Sequence, residues 1–221
     1  MVEISTSILS VEKENAIKTF YNLETAKIDY FHIDVMDGEF VNNNTVDKMN
    51  EYCDCLSSIT NIPLDVHLMV KDVKKYIDMF LPYNPNIITF HYEAVKDKNE
   101  LIDLVDYIHH NNCKAGISIK PNTNISEIYD ILEILNVVLV MTVEPGEGGQ
   151  PLISETIGKI KELAKHVEEH DLDTIIEADG GINVENAEQL KEAGTEVLVV
   201  GTGLIKTENY AETVKQIKRY N

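Results

Sequence analysis

The sequence predicts an α/β chain closed into a single (β/α)8 TIM barrel over residues 1–221. Three observations lead there. Short apolar runs alternate with longer amphipathic segments from one end to the other, the pattern of a parallel sheet with crossover helices. Eight such units can be counted, and barrels of this type commonly use about 200 to 250 residues as one domain. No linker, low-complexity tract or second composition regime divides the chain. An open doubly wound sheet would alternate in the same way, but eight units in this length favour closure.

The first strand is expected over residues 3–9, and the second and third over 30–35 and 64–69, apolar runs interrupted by polar side chains at their ends. The fourth, 87–91, precedes a segment with Leu101, Leu104, Val105 and Ile108 on one helical face. After the fifth, 115–119, Asn124 followed three residues later by Glu127 resembles a capping box opening a helix. The sixth, 137–143, reads Val137-Val138-Leu139-Val140-Met141, as strands buried on both faces do, and is followed by Ile153, Ile157, Ile160, Ala164 and Val167 at helical spacing. The seventh, 174–179, leads to Asn183, a candidate cap for the next helix. The eighth, 197–201, is again apolar, and Tyr210, Val214 and Ile217 share the face of the closing helix.

A formal net charge of −19 at pH 7 repels nucleic acid and anionic membrane surfaces, whose binding depends on Lys and Arg neutralising phosphates. Neither is expected as a partner. The acidic residues are spread through the candidate helices and mostly solvate outer faces, which leaves a local site free to bind an anion. No apolar stretch approaches the roughly 20 residues that span a bilayer, and the first nine residues lack signal-peptide features, so a soluble, cytoplasmic protein is expected. Cys53, Cys55 and Cys113 offer no disulfide framework and no zinc motif, and are expected as free thiols.

Chemistry in this architecture sits at the C-terminal ends of the strands. There the second strand ends in His32-Ile33-Asp34, the third in Asp65-Val66-His67 and the seventh in Glu177-Ala178-Asp179. Residues two apart on a strand share a face, so His32 and Asp34 point the same way. An unpaired buried carboxylate costs several kcal/mol or takes up a proton, so Asp34 and Asp179 call for a cation or strong hydrogen bonds. His32, Asp34, His67 and Asp179 form a mixed nitrogen and oxygen set suited to one divalent ion: zinc, ferrous iron, manganese or cobalt. A single strand histidine is usually a hydrogen-bonded core residue; four ligand-type residues at one end of three strands are not. Asp65 is expected to support a ligand from behind. If the two aspartates flank a bound substrate, one can take a proton from a carbon beside a carbonyl while the other donates to the opposite face, inverting that carbon. A Lewis-acid metal would stabilise the enediolate.

The sixth loop reads Glu144-Pro145-Gly146-Glu147-Gly148-Gly149-Gln150, the seventh contains Gly180-Gly181 and the eighth Gly201-Thr202-Gly203. Glycine lets backbone N–H groups approach a ligand, so three neighbouring loops of this kind could hold a phosphate without a basic side chain. Glu144 and Glu147 would repel that anion unless they point away from it.

These motifs resemble the ribulose-phosphate 3-epimerase family, which includes epimerases acting on allulose 6-phosphate. The residues that carry the resemblance are Ser7-Ile8-Leu9-Ser10, His32-Ile33-Asp34-Val35-Met36-Asp37-Gly38, Asp65-Val66-His67-Leu68-Met69, Ile88-Thr89-Phe90-His91, Met141-Thr142-Val143 with Pro145-Gly146 and Gly148-Gly149-Gln150, and Asp179-Gly180-Gly181. The resemblance implies that His32, Asp34, His67 and Asp179 ligate a metal, with Asp34 accepting the proton and Asp179 donating it in one direction. It implies that Ser7 and His67 touch substrate, and that Met36, Met69 and Met141 lie beside the enediolate. Gly146, Glu147, Gly148, Gly149, Gly180 and Gly181 would line the phosphate end, completed by Gly201 and Thr202. His91 also matches a family position, in a supporting or structural role. The departures fall in the loops: the family usually has an aromatic residue at Glu147, Asn or Asp at Glu144, Pro-Asn plus an apolar residue at Asn42-Asn43-Asn44, and Gly-Pro at Asp47-Lys48. Serine is common where Thr202 stands. The implied activity is metal-dependent 3-epimerisation of a ketose phosphate, ribulose 5-phosphate to xylulose 5-phosphate, by a homo-oligomer. Allulose 6-phosphate as substrate, or a diverged sugar-phosphate binder without catalysis, are the alternatives.

Overall fold

The computed structural model describes residues 2–219. Eight parallel strands form a closed barrel in sequence order: β1 Glu3–Ser7, β2 Tyr30–Met36, β3 Leu64–Met69, β4 Ile87–His91, β5 Lys114–Ile119, β6 Val137–Met141, β7 Ile175–Asp179 and β8 Val197–Val199. Closure leaves no sheet edge, because β8 pairs with β1 through Glu3 and Val197. The helices outside are α1 Ala16–Thr25, α2 Val46–Ile59, α3 Val73–Phe80, α4 Lys98–His110, α5 Glu155–Glu169, α6 Ala187–Glu192, α7 Thr202–Ile205 and α8 Tyr210–Lys218. No helix among the described residues is long and apolar enough to cross a membrane. Cys53, Cys55 and Cys113 are free thiols.

Strand alternation sorts residues into two environments. Ile33, Val35, Val66, Leu68, Ile88, Phe90, Ile117, Val138, Val140, Ile176 and Leu198 belong to the large apolar layer between strands and helices. The other parity faces the barrel axis and is polar through its middle: Ser5, His32, Asp34, Asp65, His67, Thr89, His91, Ser118 and Glu177 are all buried. Tyr30, Ile87, Val137 and Ile175 close the interior beneath them. Gly116 makes room in this crowd, since a Cβ there would lie 2.3 Å from Thr89 Oγ1 and 3.2 Å from Val137 Cβ. Gly116→Ala should therefore cost about 1–3 kcal/mol through overpacking. Denaturant unfolding checks this; an unchanged midpoint would show that Thr89 can rotate away freely.

Several ends differ from the sequence expectation. Strands β1, β6 and β8 stop short of residues 9, 143 and 201, because the chain turns as soon as ladder pairing ends. Thr142 already donates its N–H to the Asp179 carbonyl and its hydroxyl to Gly180 O. The expected capping box is absent: residues Ile125–Ile134 form a 3-10 helix, and the Asn124 side chain makes no cap hydrogen bond. Side-chain caps occur instead at Asp72, Asp97 and Asn209, opening α3, α4 and α8. Asn183 accepts from Glu185 N–H and Asn186 N–H, so it caps the turn that feeds α6 and not the helix itself. Ile153 lies before α5.

Candidate active site

Parallel register sets the polar residues side by side. Ser7 lies opposite His32, His32 opposite Asp65, Asp34 opposite His67, and Asp179 opposite Met141. Because ladder partners share parity, β1, β2, β3, β6 and β7 deliver all of these to the same end of the barrel interior.

Four side chains then converge. His32 Nε2 is 3.5 Å from Asp34 Oδ1 and 4.0 Å from Asp179 Oδ2. His67 Nδ1 is 3.6 Å from Asp34 Oδ1 and 3.6 Å from Asp179 Oδ2. These two imidazole nitrogens are buried and have no hydrogen-bond partner. Buried polar atoms are nearly always satisfied, so two orphans facing two carboxylate oxygens mark a place built for something else. One nitrogen or oxygen atom from each residue lies within 4.8 Å of the others, close enough to share one ion. The donor set, two imidazoles and two carboxylates, fits a borderline divalent cation such as zinc, iron, manganese or cobalt.

Charge reinforces the fit. Burial alone would push the Asp34 carboxyl up, but His32 and His67 outweigh it and hold it well below the usual range. Burial disfavours a charged His32, yet Asp65 and Asp34 raise its proton affinity well above the ordinary value. Burial likewise opposes a charged His67, and the nearby Asp179 and Asp34 carboxylates raise its proton affinity above the ordinary value. Protons and a dication thus compete for the same two lone pairs.

Each ligand-type residue is held from behind. Ser7 Oγ donates to Asp34 Oδ2 at 2.6 Å. Asp65 Oδ2 sits 2.6 Å from His32 Nδ1 and accepts from Ser5 Oγ at 2.6 Å, fixing the proton on Nδ1 and leaving Nε2 its lone pair. Asp65 is the support expected from sequence, and its client is His32 on the neighbouring strand. Glu177 lies beneath, fully buried; burial and the adjacent Asp65 raise its pKa well above the ordinary value. His91 Nε2 is 3.0 Å from His67 Nε2.

Above this cluster opens a pocket lined by Ser7, Asp34, Met36, Met69, Met141, Asp179 and the glycine loops, with no lysine or arginine among the described lining residues. Gly146, Gly148, Gly149, Gly180, Gly181, Gly201 and Thr202 all reach it. Gly180 and Gly181 have φ of 129° and 68°, and a Cβ would lie 2.5 Å from Val143 Cγ2 and 2.5 Å from Leu152 N, respectively. Only glycine meets both demands. Glu144 and Glu147 are exposed, and their backbone carbonyls accept from the Gln150 side-chain amide at 2.7 and 2.8 Å. The altered loop after β2 touches the pocket rim, where Asn43 Nδ2 donates to Gly146 O at 2.6 Å. Lys48 does not line the pocket, but its Nζ donates at 2.7 Å to the carbonyl of Leu9, which does.

His32, Asp34, His67 and Asp179 thus cluster at one end of the barrel, and Ser7, Met36, Met69, Met141, Glu147, Thr202 and the loop glycines line the pocket above them. Sequence inspection missed the parts played by Ser5 and Glu177; Glu177 shares strand parity with Asp179, a signal that was present.

Comparison with known proteins points the same way. The profile of the Ribulose-phosphate 3 epimerase family matches residues 3–205. The chain is 36% identical over 215 residues to a chloroplastic ribulose-5-phosphate-3-epimerase of Arabidopsis thaliana, covering 97% of this chain and 75% of that protein. It is 34% identical over 219 residues to a ribulose-phosphate 3-epimerase of Bacillus subtilis, covering 99% of each. A solved 3-hexulose-6-phosphate synthase of Salmonella typhimurium superposes with a TM-score of 0.70 over 98% of this chain and 96% of that one at 11% identity, a likeness of fold.

Proposed function

Since the chain belongs to the ribulose-phosphate 3-epimerase family and is an isomerase, we propose that it interconverts ribulose 5-phosphate and xylulose 5-phosphate by two-aspartate proton transfer at C3. The observation that carries this reading is the convergence of Asp34 and Asp179 on the two unpartnered imidazole nitrogens.

His32, Asp34, His67 and Asp179 would hold the metal. A divalent cation there supplies Lewis-acid stabilisation of the negative charge that develops on the substrate's carbonyl and hydroxyl oxygens. In one direction Asp34 accepts the C3 proton from one face and Asp179 delivers a proton to the other; in reverse the roles exchange. Ser7, bonded to Asp34 Oδ2, orients that carboxylate and leaves Oδ1 toward the centre of the site. Met36, Met69 and Met141 give the reacting carbon an apolar wall that keeps water off the enediolate. The glycine loops would present backbone N–H groups to the phosphate, since the lining holds no basic side chain, with Glu144 and Glu147 on its exposed border.

Incubation of the purified protein with each ketose phosphate in heavy water tests the reading. Deuterium should enter C3 of ribulose 5-phosphate, with turnover at least about tenfold above that of allulose 6-phosphate. Faster turnover of the six-carbon sugar would reassign the substrate, and sugar-phosphate binding without exchange at C3 would make the protein a binder.

A further inference from the structure

We propose that Glu93, acting through His91, decides which nitrogen of His67 is free to face the metal centre. The inference rests on the metal site proposed above and gives the turn after β4 a positioning role in it.

His67 presents Nδ1 to Asp34 and Asp179 at 3.6 Å each, and Nε2 to His91 Nε2 at 3.0 Å. Two ring nitrogens this close bond only when one carries a hydrogen and the other a lone pair. The direction of that bond is set further along. His91 Nδ1 lies 3.2 Å from Glu93 Oε2, while Glu93 Oε1 accepts from Lys120 N–H at 2.8 Å and from the Thr123 hydroxyl. Burial works against the charge on Glu93, but His91, Thr123 and the Lys120 amide hold its pKa down to about 2. An ionised carboxylate only accepts, so His91 must place its hydrogen on Nδ1. Its Nε2 then offers a lone pair, His67 donates from Nε2, and the His67 lone pair is left on Nδ1, toward the centre.

The surroundings hold this chain of contacts in place, buried at His91 and partly exposed at Glu93. His91 is fully buried, with the Phe40 ring 4.8 Å away, centroid to centroid. The loop that supplies the Glu93 donors is pinned by Lys159 Nζ, which donates to the carbonyls of Lys120, Pro121 and Thr123 at 2.9, 2.8 and 2.5 Å. His32 receives the same service directly from Asp65. His67 has no carboxylate behind it, and His91 spans the gap to one.

Glu93→Gln tests the chain at nearly constant size. The oxygen of the substituted side chain is retained by the Lys120 N–H, which can only donate, so its amide nitrogen turns to His91 and donates to Nδ1. His91 must then carry its hydrogen on Nε2, and His67 is driven to hold its own on Nδ1, where it blocks the ligand position. Zn2+ affinity, measured by competition with a chromophoric chelator, should fall about 10–100-fold. The melting temperature of the metal-free variant should stay close to that of the wild type. His91→Leu should lose affinity similarly, and His91→Gln, which can accept through Oε1, should recover part of it. Long-range 15N–1H spectra of the Zn2+-loaded wild type should show His67 protonated at Nε2, a readout that needs no variant to fold. Wild-type Zn2+ affinity in Glu93→Gln, or a His67 hydrogen on Nδ1, overturns the inference. Asp34→Asn measured alongside separates the two levels: if it too binds Zn2+ as the wild type does, the metal site itself is misplaced.

Discussion

Asp34→Asn and Asp179→Asn are each expected to lower epimerisation by about a thousandfold or more without unfolding the protein. A positioned acid or base contributes about 10²–10⁴ in rate, and here each residue also surrenders a charged oxygen of the proposed metal set. The fold should tolerate the changes, because asparagine keeps the shape and Ser7 can still donate to the side-chain oxygen at position 34. The informative result is the asymmetry between the two variants. With only one working acid–base group, each can still exchange the C3 hydrogen of the epimer that its remaining aspartate faces. Asp34→Asn should then wash deuterium slowly into one epimer and Asp179→Asn into the other, neither giving net inversion. Near-wild-type epimerisation in either variant, or exchange into the same epimer in both, would remove the two-face account.

Stripping the metal should have an effect of similar size. After dialysis against a strong chelator, turnover should drop to background, and zinc, ferrous iron, manganese or cobalt should restore it to different degrees. Stability provides a second, independent measure. A ligand that binds only the folded state at 100 times its Kd adds about 2.7 kcal/mol, which at this chain length raises the melting temperature by several degrees. The gain should shrink in acid, since His32 and His67 hold protons on the lone pairs the ion needs. Full activity and an unchanged melting temperature after exhaustive chelation would contradict the proposed centre.

The fold was legible because its two periodicities are strong. The β6 run from Val137 to Met141 and the stripe of Leu101, Leu104, Val105 and Ile108 on α4 announce a strand and a helix without help from tertiary context. Asn124 and Glu127 misled, since a capping box specifies only local hydrogen bonds. The chain there settles into a 3-10 helix with Ile125, Ile128, Ile131 and Leu132 buried. The metal-type residues were legible for the opposite reason: polar side chains in strands otherwise apolar are expensive unless they have a purpose. What lay beyond reach was pairing. That Asp65 serves His32 across a strand boundary follows from register, and that Glu93 reaches His91 follows from a turn whose shape no periodicity encodes.

Closure of the barrel has a consequence for how the protein comes into being. The cluster draws His32 and His67 from early in the chain and Asp179 from late, and the ring is sealed only when β8 pairs with β1. A polypeptide still emerging from the ribosome can make the first strand pairs but lacks Asp179, the fourth member of the proposed set, and the wall that shields the others. Two histidines and a carboxylate on an open sheet bind metal loosely and expose an unpaired edge. The proposed metal cluster therefore becomes competent only when the ring closes, and a chain cut short before β8 carries no partial enzyme.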